Sequence, residues 1–164
     1  MVVLLVMTGF SLQSHSQTRA NQVKAVFLFN FAQFVDWPAN SFSSPTSPFV
    51  IGILGNDPFG FYIDKVIEGE KVDSHPIVVQ RYNDADDIRN CNILFTSKSY
   101  SAIKNLQNRS ILTVGDQNDF AADGGMIRFF IENNKIKLQI NLKAAKAASL
   151  NISSKLLRLA DVIE

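Results

Sequence analysis

Short apolar segments that end in small polar residues recur through the middle of this chain and constrain its fold most strongly. The first, FVIGIL at 49–54, has no polar side chain and is followed by GND at 55–57. A strand that is apolar on both faces is typical of a parallel sheet with helices on each side. Further segments of this kind end near Tyr82, Thr96 and Gly115. Because stretches suited to short helices separate them, we predict an α/β fold, a single three-layer domain with a mostly parallel sheet flanked by helices.

Beyond Gly125 the pattern changes to two alternating segments that flank Asn133 and Asn134. Asparagine tolerates the positive φ angles of a two-residue hairpin turn. Such a turn places three apolar pairs on one face, with Glu132 facing Lys135 beside the turn. The pairs are Ile131 with Ile136, Phe129 with Leu138, and Ile127 with Ile140. We therefore predict a C-terminal antiparallel hairpin.

The segment 141–164 follows the hairpin and is rich in alanine and leucine, which are strong helix formers. It predicts two terminal helices separated by a break near Asn151. On the second helix, helical spacing places four apolar residues on the inner side: Leu156, Leu157, Ala160 and Ile163.

Phenylalanine is concentrated in the segment AVFLFNFAQFVDWP, at 25–38. Apolar residues at helical spacing predict a helix from about Ala20 to Trp37, ended by Pro38. The run is too short to cross a bilayer, and a helix that is apolar nearly all round is normally buried on several sides. Two alternatives are open: full burial within one monomer, or a second side that contacts another subunit or a partner protein. In the latter case, the interface would include Ala25, Leu28, Phe29 and Ala32.

The first sixteen residues resemble a secretory signal peptide. The apolar run MVVLLVMTGF is followed by SLQSHS, which has small residues before Gln17. The basic start of such a signal is missing from the sequence. An uncleaved membrane anchor is the alternative, but the apolar run is far shorter than the roughly 20 residues that a spanning helix needs. We predict a signal peptide at 1–16, a mature domain at 17–164, and export.

Charge and cysteine content exclude several classes of protein. Sixteen basic and fifteen acidic residues give a net charge of +1, and the absence of a basic stripe argues against nucleic-acid binding. Cys91 is the single cysteine and begins an apolar strand, where a thiol is normally an inert packing group.

The acidic cluster NDADD at 83–87 lacks the spacing of a calcium loop and suits a solvated helix start. With no metal triad, nucleophile elbow or nucleotide-binding loop in the sequence, we predict a non-enzymatic protein without a cofactor.

Three strand exits carry the residues that could bind a small ligand. The exits at 55–57, 96–99 and 115–119 are predicted to meet at the carboxyl edge of the parallel sheet, where ligands of such folds bind. The candidate ligand-binding residues are Asn56, Asp57, Ser97, Lys98, Asp116 and Arg128. Small polar residues are also ordinary loop formers, and Arg128 could be a solvated residue, so both alternatives stay open. Were the chain an enzyme, Asp57, Lys98 and Asp116 would be its candidate catalytic residues.

Five segments, in this order and spacing, resemble the YfiR/HmsC family of periplasmic regulators. They are VKAVFLFNFAQFVDWP (23–38), FVIGILGNDPFG (49–60), CNILFTSKS (91–99), ILTVGDQNDFAADGGMIRFFIENNKIKLQINLKAA (111–145) and LNISSKLLRLA (150–160). The resemblance implies an exported α/β protein, commonly dimeric, that represses a membrane-bound diguanylate cyclase by binding its periplasmic sensor domain. It also implies control of cyclic-di-GMP and biofilm formation.

The resemblance implies further partners and one difference. An outer-membrane lipoprotein with an OmpA-like domain can sequester such a repressor, and related domains are fused to sensor kinases. Studied relatives carry additional cysteines that form disulfides, whereas Cys91 is alone here, which excludes redox control by an internal disulfide. The hypothesis is an exported homodimeric binding protein that inhibits a membrane signalling enzyme. The alternative is a periplasmic module that senses or binds a small solute.

Overall fold

A computed structural model of the chain describes the backbone of residues 11–164 and the side chains of residues 15–164. In chain order its strands are β1 (Val35–Asp36), β2 (Phe49–Leu54), β3 (Lys71–Val72), β4 (His75–Tyr82), β5 (Ile93–Thr96), β6 (Leu112–Gly115), β7 (Ile127–Glu132), β8 (Lys135–Asn141), β9 (Asn151–Ile152) and β10 (Ala160–Ile163). Eight of them form the central sheet in the order β10-β8-β7-β6-β5-β2-β4-β3. Strands β4, β2, β5, β6 and β7 run parallel, as do β10 and β8. The predicted α/β class with a mostly parallel sheet is confirmed.

The helices form the outer two layers. They are α1 (Ser11–Phe34), α2 (Phe61–Val66), α3 (Leu142–Ala147) and α4 (Ser154–Leu157), with short 3-10 helices at Ala39–Ser41, Ala85–Asp87 and Tyr100–Leu106. Side chains of α1, α2, α3 and α4 share one core with one face of the sheet. The last two 3-10 helices cover the other face together with Phe120, over β2 and β5. The chain thus buries its central strands on both faces, which explains why those strands are apolar throughout.

The hairpin of β7 and β8 has the predicted register. Ile131 lies opposite Ile136, Phe129 opposite Leu138, Ile127 opposite Ile140, and Glu132 opposite Lys135. Asn133 and Asn134 have φ angles of 50° and 59°. This left-handed conformation is the one a tight hairpin turn requires, and asparagine adopts it more readily than most residues.

Helix α1 is the predicted Phe-rich helix, but it begins and ends at other residues than predicted. It ends at Phe34 rather than Trp37, because Val35 and Asp36 pair with Ile152 and Asn151 as β1 and β9. It begins at Ser11, inside the segment predicted as a signal peptide. Residues 1–10 lie outside the described part of the chain, and the signal peptide stays a prediction.

The second C-terminal helix was predicted too long. Helix α4 has a single turn, Ser154–Leu157, and the prediction that Ala160 and Ile163 line a helix is wrong. These two residues lie in β10, which pairs in parallel with β8. The open edge of β8 offers unpaired backbone groups, and the β-branched residues of this segment favour a strand there.

Asp57 and Pro58 are residue types that suit the cap and first position of a helix, but α2 starts later in the chain. The helix begins at Phe61, after Gly60 with a φ of 51°. The Asp57 carboxylate instead accepts hydrogen bonds from the backbone N–H groups of Phe59 (2.8 Å) and Gly60 (3.1 Å). Asp57 therefore closes the loop that precedes the helix.

Candidate protein-binding surface

Helix α1 buries one side on the sheet. Ala25, Leu28 and Ala32 are buried in the core, and Phe29 is half-buried. Three of the four residues predicted for an interface are thus covered by other residues of the same chain. For these three, the structure agrees with the alternative of burial within one monomer. Ala25 and Ala32 face the core, because the packing of α1 on the sheet turns this side inward. A contact of Phe29 with a partner stays a prediction.

The opposite side of α1 is apolar and exposed. Val23 and Val26 are 44% and 39% exposed, and Phe27 is partly buried against Phe31 and Phe129. A groove of about 500 Å³ runs between this side and α2, where Tyr62 lines it. A second groove, of about 1120 Å³, separates the same side from the β7–β8 hairpin and is lined by Ile131 and Ile136. Five residues of α1 that border these grooves are named the α1 ridge, namely Arg19, Val23, Val26, Phe27 and Asn30.

The predicted ligand residues lie in a row at the carboxyl edge of the sheet. Arg128 belongs to β7, Asp116 follows β6, Ser97 and Lys98 follow β5, and Asn56 and Asp57 follow β2. The structure brings these exits to one edge because the strands that precede them are parallel neighbours.

Most of these side chains are engaged within the chain. Asp116 forms an ion pair with Lys24 at 2.9 Å. Lys98 lies across Gly55, with its Cε 3.0 Å from the position of an added Cβ. Arg128 donates to Asn118 Oδ1 at 3.2 Å, and its guanidinium carbon is 5.2 Å from the Phe130 ring centroid. The Lys98 side chain points towards the end of β2, whereas Arg128 belongs to β7, and β5 and β6 lie between these two strands. The two cations therefore do not point at a common site. Ligand binding at these residues stays a prediction.

The YfiR/HmsC-like family model matches residues 21–161. The chain belongs to the YfiR/HmsC-like family. Known members of this family are periplasmic repressors of diguanylate cyclases, regulatory proteins rather than enzymes. No curated protein matches the chain. The matched range includes the α1 ridge from Val23 onward, α2 and the hairpin, so most of the residues that line the two grooves lie within it, whereas Arg19 precedes it.

Within this YfiR/HmsC-like domain, Arg81 holds α2 in place, a role that the sequence did not reveal. Its guanidinium bonds Asp57 at 2.8 Å, Asp64 at 2.7 Å and the Gly60 carbonyl at 3.0 Å. The hydrogen bond to Asp64 is the main cause of the raised pKa of Arg81, which keeps it charged. These bonds fix the turn that presents Phe61, whose side chain is 81% exposed. Sequence reasoning missed Arg81 because Asp57 follows β2 and Asp64 belongs to α2, and both come close to β4 only in the fold.

Two further observations bear on chemistry in this YfiR/HmsC-like chain. Cys91 is buried, as predicted, and burial raises its pKa to about 12, which keeps the thiol protonated and unreactive. Among the described residues, no group of three or more His, Cys, Asp or Glu side chains is arranged to hold a metal ion. Among the same residues, no helix, α1 included, is both long enough and apolar enough to span a bilayer.

Proposed function

We propose that this chain is an exported regulatory protein that inhibits a membrane-bound diguanylate cyclase by binding the periplasmic sensor domain of that enzyme. The observation that carries the proposal is the family match over residues 21–161. Inhibition of the cyclase lowers cyclic-di-GMP and, with it, biofilm formation.

The exposed surface around α1 supports a function in protein binding. Large apolar side chains that line the two grooves are exposed, namely Val23, Val26, Tyr62 and Ile131, and Phe61 directly precedes Tyr62. Single exposed apolar residues are ordinary on a monomer, whereas a contiguous group of them marks an interaction site. An aromatic side chain on a backbone turn that is already fixed, such as Phe61, is also suited to anchor a partner, because little backbone entropy is lost on binding.

Three partners belong to the proposal. The first is the periplasmic domain of a diguanylate cyclase or, in a related arrangement, of a sensor kinase. The second partner is another copy of the chain, since the family is commonly dimeric. The third is an outer-membrane lipoprotein with an OmpA-like domain, which would sequester the protein and release the cyclase.

The test is to delete the gene and measure cyclic-di-GMP in cells. We expect the nucleotide to rise on deletion and to return to its original concentration when the wild-type gene is restored. The purified protein should also capture the cyclase from detergent-solubilised envelope. An unchanged nucleotide concentration together with no captured cyclase would overturn the proposal.

Export is tested separately by cell fractionation and by mass spectrometry of the isolated protein. We expect a periplasmic protein whose first residue is Gln17. A cytoplasmic protein that retains residues 1–16 would contradict the predicted signal peptide.

A sensory function at the carboxyl edge is the second candidate, and one observation favours it. The Arg128 Nε atom is buried and has no hydrogen-bond partner among the described residues. An arginine with a free donor is suited to bind a carboxylate or phosphate. Millimolar succinate or inorganic phosphate should then raise the Tm of the wild-type protein but not that of Arg128→Ala. Equal shifts in the two proteins would remove this candidate.

A further inference from the structure

We propose that the α1 ridge binds an amphipathic helix of the partner protein, and that acidic residues flank the apolar stripe of this helix. The inference rests on the proposed function, because it assigns the surface and the chemistry through which the regulator recognises its target. Neither the family match nor the sequence assigns this surface.

The spacing of the ridge indicates a helical partner. Val23, Val26, Phe27 and Asn30 follow one another at intervals of three, one and three residues, which places them on one side of α1. Rows of this kind pack into the furrow between the side-chain rows of another helix. The grooves of about 500 and 1120 Å³ on the two sides of the ridge give room for the flanking side chains of such a helix.

The charge around the grooves indicates an acidic partner. Arg19 lines both grooves and Lys135 lines the second, and no carboxylate lines either. Arg19 and Lys135 form no ion pair with a described residue. Glu132 faces Lys135 across the hairpin but lies outside the groove lining. Acidic residues on the partner would therefore meet unpaired cations at the rim, where charge complementarity selects the partner.

The same charges argue against a second copy of α1 as the occupant. Helix α1 contains no Asp or Glu anywhere between Ser11 and Phe34. Its lysine, Lys24, is already paired with Asp116. Two α1 ridges packed together would cover both Arg19 side chains with no helical carboxylate to neutralise them, and burial of an unpaired charge disfavours association.

Two synthetic peptides test the proposal with the full mature protein. Both are 18-residue helices with the same leucine stripe, flanked by Glu in one and by Lys in the other, and fluorescence anisotropy measures their affinity. We expect the Glu peptide to bind about tenfold more tightly than the Lys peptide, a preference that a few rim charge pairs supply and that added salt weakens.

Variants of the protein identify the surface. Val26→Glu should weaken binding of the Glu peptide at least about tenfold, because it places a like charge on the ridge. Arg19→Glu should remove or invert the preference between the peptides. Lys143→Glu makes the same charge change on α3, an element that lines neither groove, and should leave both affinities unchanged.

The outcomes separate this inference from the proposed function. If the peptides bind equally, or if Val26→Glu has no effect on either, the inference is wrong. It is also wrong if Val26→Glu converts a dimer to a monomer in sedimentation velocity while neither peptide binds, because the ridge is then a contact between copies. In cells, Val26→Glu and Arg19→Glu should raise cyclic-di-GMP as deletion does. A rise on deletion alone preserves the regulatory function and rejects this surface, whereas no rise in any strain rejects the function.

Discussion

Lys24 Nζ lies 2.9 Å from Asp116 Oδ2, and this ion pair ties the middle of α1 to the end of β6. The two side chains are only 7% and 23% exposed, and the ammonium group also lies 5.9 Å from the centroid of the Phe129 ring. A charge in such a place is costly without its partner. The pair therefore helps to hold α1 at the carboxyl edge, together with the packing of Leu28 and Phe31 in the core.

Loss of one partner of this pair should destabilise the fold. We expect Asp116→Ala to lower the free energy of unfolding by about 3 kcal/mol, because Lys24 then stays buried without a counter-charge. Urea unfolding measures the change. The double variant Lys24→Met/Asp116→Leu should recover most of the loss, because it removes both charges.

An exposed ion pair serves as the control for that prediction. Asp64→Ala removes two hydrogen bonds to Arg81, but the two side chains are 38% and 42% exposed, so the variant should cost no more than about 1 kcal/mol. Similar losses for Asp116→Ala and Asp64→Ala would show that the Lys24–Asp116 pair stabilises the fold no more than an exposed ion pair does.

Substitutions on the two sides of α1 should change the free energy of unfolding by very different amounts. Leu28 is fully buried, so Leu28→Ala should lower the free energy of unfolding by about 2 to 5 kcal/mol. Val23→Ala, on the exposed ridge, should change it by less than about 0.5 kcal/mol. Thermal unfolding followed by circular dichroism distinguishes the two. A stable Leu28→Ala protein that has lost partner binding would instead place Leu28 in an interface.

The Cys91 thiol should make the fold sensitive to alkali. Burial raises its pKa from about 9 to about 12, so between these values the unfolded chain releases the thiol proton while the folded chain retains it. The contribution of the Cys91 thiol to the free energy of unfolding therefore falls as the pH rises through that range. Urea midpoints measured from about pH 8 to about pH 11 should fall more steeply for the wild type than for Cys91→Ala.

The comparison with Cys91→Ala removes the thiol and keeps the other titrating groups in place. Tyr82, whose pKa burial raises to about 12, is present in both proteins. Parallel pH profiles would contradict the prediction. A thiol reagent should modify native wild-type protein slowly and the urea-unfolded chain rapidly.

The hairpin turn should not tolerate a β-branched residue. Asn134 has a φ of 59°, and valine in this left-handed conformation costs about 1 to 2 kcal/mol. Asn134→Val should lower the free energy of unfolding by that amount, as measured in urea. Lys137→Val, at an exposed position within β8, is the control and should change it by less than about 0.5 kcal/mol. Equal effects would show that the turn conformation does not matter.

Local patterns explain why much of the fold could be predicted. The apolar segment 49–54, the Asn133–Asn134 turn and the pairing of Ile127 with Ile140 each depend on residues close together in the chain. The polar strand exits could be placed at one edge because parallel strands end on the same side of a sheet. The strand β10 was missed because a four-residue segment is ambiguous between helix and strand until its neighbour is known.

The candidate site was less predictable because it depends on contacts between distant segments. The sequence showed that α1 is apolar nearly all round, but periodicity alone does not tell which side faces the sheet. Ala25 and Val26 are adjacent in the chain, yet one is buried and the other is exposed. Arg81 and its partner Asp57 are 24 residues apart and come together only because β4 lies beside β2.

The sequence by itself determined the α/β class, the hairpin and its register, the inert place of the cysteine and the resemblance to the YfiR/HmsC family, because short-range periodicity and motif order carry that information. Only the tertiary structure decided which side of α1 faces the sheet, the bonds by which Arg81 fixes the turn before Phe61, and the two grooves beside the α1 ridge. Those features arise from ion pairs and packing between segments far apart in the chain, such as Lys24 and Asp116 with a separation of 92 residues, and no local pattern encodes which distant segments become neighbours.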